Sequence, residues 1–315
     1  MTPSLEAVGL TKRFGSFTAL DHLNLRLDGA KCVGFLGPNG AGKTTALKMF
    51  TDLIFPSEGE AFINGISAQK DRKLALASCG DLIETPEIYP SLTPREALEM
   101  SGDLRGMRPE EIAARTEVVL EEVKMSEWVD QKVGRFSKGM KQRVNIAAAL
   151  LSDPDVVILD EPSTGLDPRG VAEVRSIVQG LKKENRLIFM SSHILSEVVD
   201  VCDEVALIDH GKLLFYDSLS NVSKRLTSNA TSVELAFLGP ISDDTLASQV
   251  ATVPGVSGVS RVNAQHARLI ITGGAETQSQ VLERLAAAKL GLVSFEPSQS
   301  ALEELYLQEI SKGEG

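Results

Sequence analysis

The sequence predicts an α/β domain built on a mixed sheet, followed by a smaller α+β domain. A length of 315 residues is enough for two domains of about 150 residues each. Short apolar runs alternate with longer helical patterns as far as about residue 226, which is typical of a sheet with helices packed on its faces. A polar segment then leads into shorter elements with a different order. We therefore predict domains 1–226 and 227–315.

The first domain contains near-continuous apolar runs that predict buried parallel strands. These runs are Lys31–Leu36, Asp155–Asp160, Arg186–Ser191 and Glu204–Asp209. Between about residues 93 and 151 the pattern becomes helical. It opens on Thr93-Pro94-Arg95-Glu96, a capping box with proline at the first helical position. The segment 93–151 is therefore predicted to be a helical subdomain inserted in the sheet.

The second domain has the predicted order strand, helix, strand, strand, helix, strand, which is the ferredoxin-like arrangement. The predicted elements are Ser232–Leu238, Asp243–Val250, Val256–Val262, Arg268–Thr272, Glu276–Ala288 and Leu292–Glu296. A final helix, Ser300–Ile310, is predicted to close the chain. No recognisable chemistry falls in this domain. We expect it to support dimer stability or subunit contact, and binding of a small ligand is the alternative.

Composition and charge argue against several classes of function. The net charge is -11 and no block of Lys and Arg stands out, so nucleic acid is not an expected partner. The longest apolar runs fall far short of the roughly 20 residues that span a bilayer. The N-terminal residues lack the pattern of a signal peptide, so we expect a cytoplasmic chain. Cys32, Cys79 and Cys202 show no paired spacing and are predicted to be buried, reduced thiols.

A glycine-rich loop carries the strongest chemical signal in the sequence. It comprises Gly37, Pro38, Asn39, Gly40, Ala41, Gly42, Lys43, Thr44 and Thr45. The loop matches G-x4-G-K-[ST] in full, follows the strand VGFL and precedes the helical run Thr45–Phe50. Its backbone N–H groups and the helix N-terminus suit phosphates, Lys43 suits the β- and γ-phosphates, and Thr44 suits Mg²⁺. The loop predicts binding and hydrolysis of MgATP.

Two carboxylates end the buried run VVILDE. Open α/β sheets bind their ligands at the carboxyl ends of the strands, which places Asp160 and Glu161 beside the loop. Asp160 is predicted to hold Mg²⁺ through water, as in other phosphate-loop enzymes. Glu161 is predicted to be the general base for the attacking water.

A second helix N-terminus also suits an anion. Ser137 is a good N-cap for the helix Met140–Leu151, and that structural role alone would explain a serine there. Gly139 and the cationic Lys138 and Lys141 fit an anion-receiving helix end as well. Two anion-binding helix N-termini in one domain require either two ligands or two copies of the chain that share one ligand.

Over residues 5 to 225 the chain resembles the ATP-binding subunits of ABC transporters. Their signature sequence SGGQ reads Ser137-Lys138-Gly139-Met140 here, which departs from the family at two positions. The variant SKGMKQR resembles the exporter branch that includes antibiotic-resistance systems. In the family the signature of one copy touches the ATP held by the other copy. The resemblance therefore implies a second ATPase copy, the same chain or a homologue.

Four further positions take their predicted roles from this resemblance. Phe14 matches the aromatic residue that stacks on adenine, and His193 matches the switch histidine that contacts the γ-phosphate. Asp167 lies in the loop that crosses to the opposite copy. Glu84 stands where the family has a glutamine that contacts Mg²⁺ and the membrane partner, and a carboxylate oxygen can serve the same metal.

The function implied is ATP-driven transport, in the direction of export, through membrane subunits on separate chains. Ile88, Tyr89 and Leu92 lie in the region that docks the membrane subunit in this family, although apolar residues there could equally belong to the core. Such a subunit sits on the inner face of the cell membrane. One alternative is a soluble ABC-type ATPase that acts on ribosomes or DNA. Another is a non-catalytic adaptor, which intact Glu161 and His193 disfavour.

Overall fold

The computed structural model describes residues 2–84, 87–182, 185–222, 231–250, 253–272 and 275–297. The chain divides into two compact units, Met1–Asp217 and Ser218–Gly315. The boundary predicted after residue 226 lies outside the described residues, and so does the predicted terminal helix Ser300–Ile310.

The first unit alternates strands and helices along most of its length. In chain order its elements are β1 (Ser4–Phe14), β2 (Phe17–Asp28), β3 (Lys31–Leu36), α1 (Lys43–Phe50), β4 (Glu58–Ile63), β5 (Ile66–Ser67), α2 (Arg72–Ala77), β6 (Cys79–Leu82), α3 (Pro94–Arg105), α4 (Pro109–Glu122), α5 (Lys138–Leu150), β7 (Val156–Leu159), α6 (Pro168–Leu181), β8 (Leu187–Ser192), α7 (Leu195–Val201), β9 (Glu204–Asp209) and β10 (Lys212–Ser218).

The larger sheet has the strand order β10-β9-β3-β8-β7-β6. Its central pairs β9–β3, β3–β8, β8–β7 and β7–β6 are parallel, which confirms the predicted parallel strands. On one face Phe35 and Phe189 lie 5.1 Å apart between ring centroids, and Phe50 of α1 meets Phe189 edge-on at 6.1 Å. The carboxyl ends of β3, β7 and β8 therefore lie along one edge of a well-packed sheet.

A second sheet, with the order β2-β1-β4-β5, is antiparallel and was not predicted. Its signal is present in β2, where Leu23, Leu25 and Leu27 are buried while Asn24 and Arg26 are exposed. This period of two indicates a half-buried strand, whereas the continuous apolar runs of the parallel strands indicate burial on both faces.

The helical segment between β6 and β7 contains α3, α4 and α5, with two short 3-10 turns before α5. The predicted capping box is present at α3. Thr93 Oγ1 accepts a hydrogen bond from Glu96 N at 3.2 Å, and Glu96 Oε2 accepts one from Thr93 N at 2.7 Å. Pro94 occupies the first turn, where its missing N–H costs nothing.

The second unit has the element order that the sequence predicts. Its elements are β11 (Thr231–Phe237), α8 (Asp243–Val250), β12 (Val256–Arg261), β13 (His266–Ile271), α9 (Ala275–Ala287) and β14 (Leu292–Pro297). The sheet order β12-β13-β11-β14, with antiparallel neighbours, is ferredoxin-like. Leu246 of α8 and Val281 and Leu285 of α9 pack on the buried residues of the sheet.

The three cysteines are free and buried, as predicted. The fold nevertheless brings Cys32 of β3 and Cys202, at the end of α7, to 3.5 Å between their sulfur atoms. Their separation of 170 positions gives no hint of this pairing. Within the described residues, no helix has the length and apolar character needed to cross a membrane.

Candidate active site

The glycine-rich loop connects β3 to the N-terminus of α1. Gly42 has a φ of 103° and leads directly into α1, which begins at Lys43, two residues before the predicted helical run. A Cβ atom at Gly42 would lie 2.5 Å from the Ala19 carbonyl oxygen, and one at Gly37 would lie 2.2 Å from the Ile208 carbonyl oxygen. Side chains are therefore excluded at both positions, and the backbone is free to wrap an anion at the helix N-terminus.

Lys43 turns its ammonium group into the loop. The side chain is 4% exposed, and Nζ donates to the carbonyl oxygens of Gly37 at 2.8 Å and Pro38 at 3.1 Å. Glu161 Oε1 lies 3.5 Å from the same nitrogen. A buried cation held by the loop is suited to neutralise a bound polyphosphate.

Asp160 follows β7 and is buried beside the first turn of α1. Its Oδ1 accepts hydrogen bonds from Thr44 Oγ1 at 3.2 Å and from Ser191 Oγ at 2.6 Å. A hydroxyl and a carboxylate are the oxygen ligands that Mg²⁺ prefers, so Thr44 and Asp160 fit the predicted metal site.

Ser191 contacts both acidic residues, and no sequence motif singled it out. Its hydroxyl donates to Asp160 and accepts a hydrogen bond from Glu161 N at 2.9 Å. The pairing of β7 with β8 explains this contact, because Leu159 of β7 lies opposite Met190 of β8. The residues that follow this pair therefore meet at the sheet edge.

Glu161 adopts a φ of 44°, in the left-handed region that non-glycine residues seldom enter. Such conformations cluster at functional sites. The carboxylate accepts a hydrogen bond from Thr164 Oγ1 at 2.8 Å, and His193 Nδ1 lies 3.2 Å from Oε2. Partial burial opposes ionisation, but the hydrogen bond from the Thr164 hydroxyl and the neighbouring His193 and Lys43 side chains outweigh it, so the pKa of Glu161 is lowered. The structure thus brings together Lys43, Thr44, Asp160, Glu161 and His193.

A cleft of about 320 Å³ lies against the loop. The residues that line it are Phe14, Phe17, Ala19, Asn39, Gly40, Gly42, Lys43, Thr44, Thr45 and Glu161. Phe14 is 52% exposed, with the Lys12 ammonium 5.1 Å from its ring centroid. Phe17, its partner across the β1–β2 turn, is 63% exposed and was not predicted. Exposed aromatic rings at the mouth of the cleft suit stacking on a base.

The predicted signature residues line a different cavity, of about 510 Å³. Ser137 caps α5, with its Oγ accepting from Met140 N at 3.2 Å, and Gly139, Met140 and Asp167 also face the cavity. Asp167 caps α6 through Gly170 N at 2.8 Å. None of these residues lines the cleft at the glycine-rich loop. Lys138 instead donates from Nζ to the Thr164 carbonyl oxygen at 3.1 Å.

Glu84 is placed apart from the predicted metal ligands. Its carboxylate is 66% exposed and forms an ion pair with Lys48 of α1. Among the contacts of the described residues, none joins Glu84 to Thr44 or Asp160. In this conformation, Glu84 is not in contact with the other two residues of the predicted metal site, Thr44 and Asp160.

The fold and the site define a phosphate-loop ATPase, with a parallel sheet, an antiparallel sheet and an inserted helical segment. The chain belongs more particularly to the ATP-binding proteins of the ABC transporter family. The family model for ABC transporters matches residues 20–164. The bacitracin transport ATP-binding protein BcrA of Bacillus licheniformis is 41% identical over 226 residues, covering 71% of this chain and 73% of that relative.

Two further comparisons cover different parts of the chain. The linearmycin resistance ATP-binding protein LnrL of Bacillus subtilis is 29% identical over 309 residues, which cover 96% of this chain and 97% of the relative. A solved structure of the ATP-binding subunit of an ABC transporter superposes with a TM-score of 0.62 at 28% identity. It covers 70% of this chain and 92% of that chain. LnrL therefore matches both units.

Proposed function

We propose that this chain is the ATPase subunit of an exporter and works as a head-to-tail pair that encloses two MgATP molecules. One copy contributes the cleft at the glycine-rich loop with Glu161 and His193. The other contributes the cavity at the N-terminus of α5 with Ser137, Gly139 and Asp167. The observation that carries the proposal is that these two groups line separate cavities within one chain. A second copy would complete each site.

The catalytic step is in-line attack of water on the γ-phosphate. Glu161, whose pKa is lowered from its ordinary acidic value and which is therefore a carboxylate at neutral pH like other glutamates, accepts the proton of the attacking water. His193, 3.2 Å from that carboxylate, orients the base and the γ-phosphate. Lys43 neutralises the charge that develops on the phosphate oxygens. Thr44 and Asp160 would hold Mg²⁺, which supplies further charge neutralisation on the phosphates.

Adenine is expected to stack on Phe14, with Phe17 as a second aromatic contact at the same mouth. The Lys12 ammonium lies over one face of the Phe14 ring, so adenine is expected to stack on the opposite face. Glu84 would contact the metal only after its ion pair with Lys48 opens, so we assign it a conditional role.

Membrane subunits on separate chains are the proposed partners on the inner face of the membrane. Apolar side chains are exposed after Glu84, where the family docks such subunits: Tyr89 is 64% exposed, and Met100 and Leu104, one turn apart on α3, are 39% and 82% exposed. The proposal of export rests on the relatives that act in bacitracin transport and linearmycin resistance.

Glu161→Gln tests the assignment of the base. The amide keeps the shape of the carboxylate but cannot accept a proton, so kcat should fall by about 10²–10⁴-fold while ATP binding is retained. The variant should also accumulate as an ATP-bound dimer in size-exclusion chromatography. Glu121→Gln, an exposed carboxylate on α4, is the matched control. Hydrolysis by Glu161→Gln at the wild-type rate would show that another group is the base.

Co-purification tests the partner. A complex with a polytopic membrane protein is the expected result. Sedimentation with ribosomes would favour the soluble ATPase instead.

A further inference from the structure

The loop between β7 and α6 spans residues 160–167, and its part from residue 162 onward is attached to α5 by two side chains. Lys138 Nζ donates to the Thr164 carbonyl oxygen at 3.1 Å, and Gln142 Nε2 donates to the Pro162 carbonyl oxygen at 2.9 Å. Lys138 and Gln142 are four positions apart and lie on one face of the helix. Gln142 is buried, so its hydrogen bond is shielded from water.

Gly165 makes the Lys138 contact possible. Its φ is +70°, and a Cβ atom at this position would lie 2.4 Å from Lys138 Nζ. Any other residue would therefore occupy the place of the ammonium group and would also be strained. The loop and the lysine fit each other sterically as well as through the hydrogen bond.

Thr164 connects this attachment to the catalytic carboxylate. Its carbonyl oxygen accepts from Lys138, while its hydroxyl donates to Glu161 Oε2 at 2.8 Å. The titratable groups that face Glu161 from other elements are Lys43, with its Nζ at 3.5 Å, and His193, with its Nδ1 at 3.2 Å. A continuous series of contacts thus runs from the first turn of α5 to the base of the same chain.

We propose that Lys138 is a positioning residue for Glu161 and acts through Thr164. The inference deepens the proposed function and rests on it, because Glu161 is the base assigned there. The N-terminus of α5 is also the end assigned to the nucleotide of the second copy.

Steady-state ATPase kinetics of Lys138→Met, Thr164→Val and the double variant test this inference. Each single change should lower kcat by about fivefold or more, with the KM for ATP within about twofold of the wild type. Because both changes break one series of contacts, the loss in the double variant should stay close to that of either single variant, about fivefold smaller than the product of two fivefold losses. Lys138→Arg and Thr164→Ser keep the donors and should restore most of the rate.

Lys141→Met is the matched control, because it removes the same charge from the same helix. Within the described part of the chain, no hydrogen bond or ion pair of the Lys141 side chain is present. The losses caused by Lys141→Met and Thr164→Val should therefore multiply.

Two outcomes would overturn the inference by itself. One is that the losses from Lys138→Met and Thr164→Val multiply, and the other is that Lys138→Met raises KM alone. Either result would make Lys138 a phosphate-binding cation only. If Glu161→Gln hydrolysed ATP at the wild-type rate, the proposed function would be contradicted, and this inference with it. Failure of the inference alone is therefore distinguishable from failure of the proposed function.

Discussion

At the scale of single residues, Ser191 joins the two carboxylates that the sequence placed at the end of β7. Replacing it with alanine removes a donor from buried Asp160 and an acceptor from the Glu161 N–H. We expect the free energy of unfolding to fall by about 1–3 kcal/mol. Because the base also loses its anchor, kcat should fall by about ten- to a hundredfold. Urea unfolding and ATPase assays measure the two effects.

Ser196→Ala, on the exposed side of α7, is the control for this change and should leave both quantities near the wild-type values. Equal behaviour of the two alanine variants would contradict the role assigned to Ser191.

Cys79 provides a second prediction at the residue scale. Complete burial raises the pKa of this thiol well above its ordinary value, so the thiol stays protonated at pH 8. Iodoacetamide should therefore leave Cys79 unmodified in the native protein and should alkylate it in urea. Mass spectrometry of tryptic peptides gives the modified fraction at each condition. Rapid alkylation of native Cys79 would show that β6 opens readily.

At the scale of elements, the capping box at α3 offers a clean measurement. Thr93→Ala removes the acceptor for the Glu96 N–H, and loss of such a cap costs about 0.5–2 kcal/mol in the free energy of unfolding. Thr93→Ser keeps the hydroxyl and should recover most of this loss. The denaturant midpoints of the wild type, Thr93→Ala and Thr93→Ser measure these changes. Identical midpoints for alanine and serine would mean that the cap contributes nothing.

Some helices and strands were predictable from the sequence and others were not, and the difference depends on the distance along the chain between the residues that make the contacts. The capping box and the cap of Ser137 depend on residues three positions apart, so a short window contains the whole signal. The alternation of β2 is a local signal, but the sheet as a whole was missed because β1 also pairs with β4, more than forty positions away, and because register shifts interrupt the alternation of β1. Local spacing determines caps, whereas sheet pairing depends on distant strands.

At the scale of the whole molecule, a shared site makes activity depend on protein concentration. The rate of hydrolysis per chain should rise as the protein is concentrated, because a monomer lacks half of each site. The affinity of the chain for ATP, measured by titration at the same protein concentrations, should change little. Light scattering identifies the concentrations at which the monomer prevails. A constant rate per chain across that range would contradict the shared site.

The role of the second unit stays a prediction at this scale. Its ferredoxin-like order was predicted from alternating short elements, and the structure confirms that order. LnrL matches the chain across both units, so the arrangement of an ATPase unit followed by this unit extends to that relative.

The sequence by itself determined the glycine-rich loop, the acidic pair Asp160 and Glu161, and the order of the elements in the second unit, because each depends on neighbours along the chain. Only the tertiary structure decided which distant groups meet. It added Ser191 to the acidic pair, directed Glu84 to Lys48, and joined Lys138 to Thr164. These contacts connect residues between 26 and 36 positions apart, and no local pattern specifies them. The Asp160–Ser191 contact follows from parallel strands that end at one edge, and the other two follow from the packing of helices α1 and α5 beside loops that leave the same sheet.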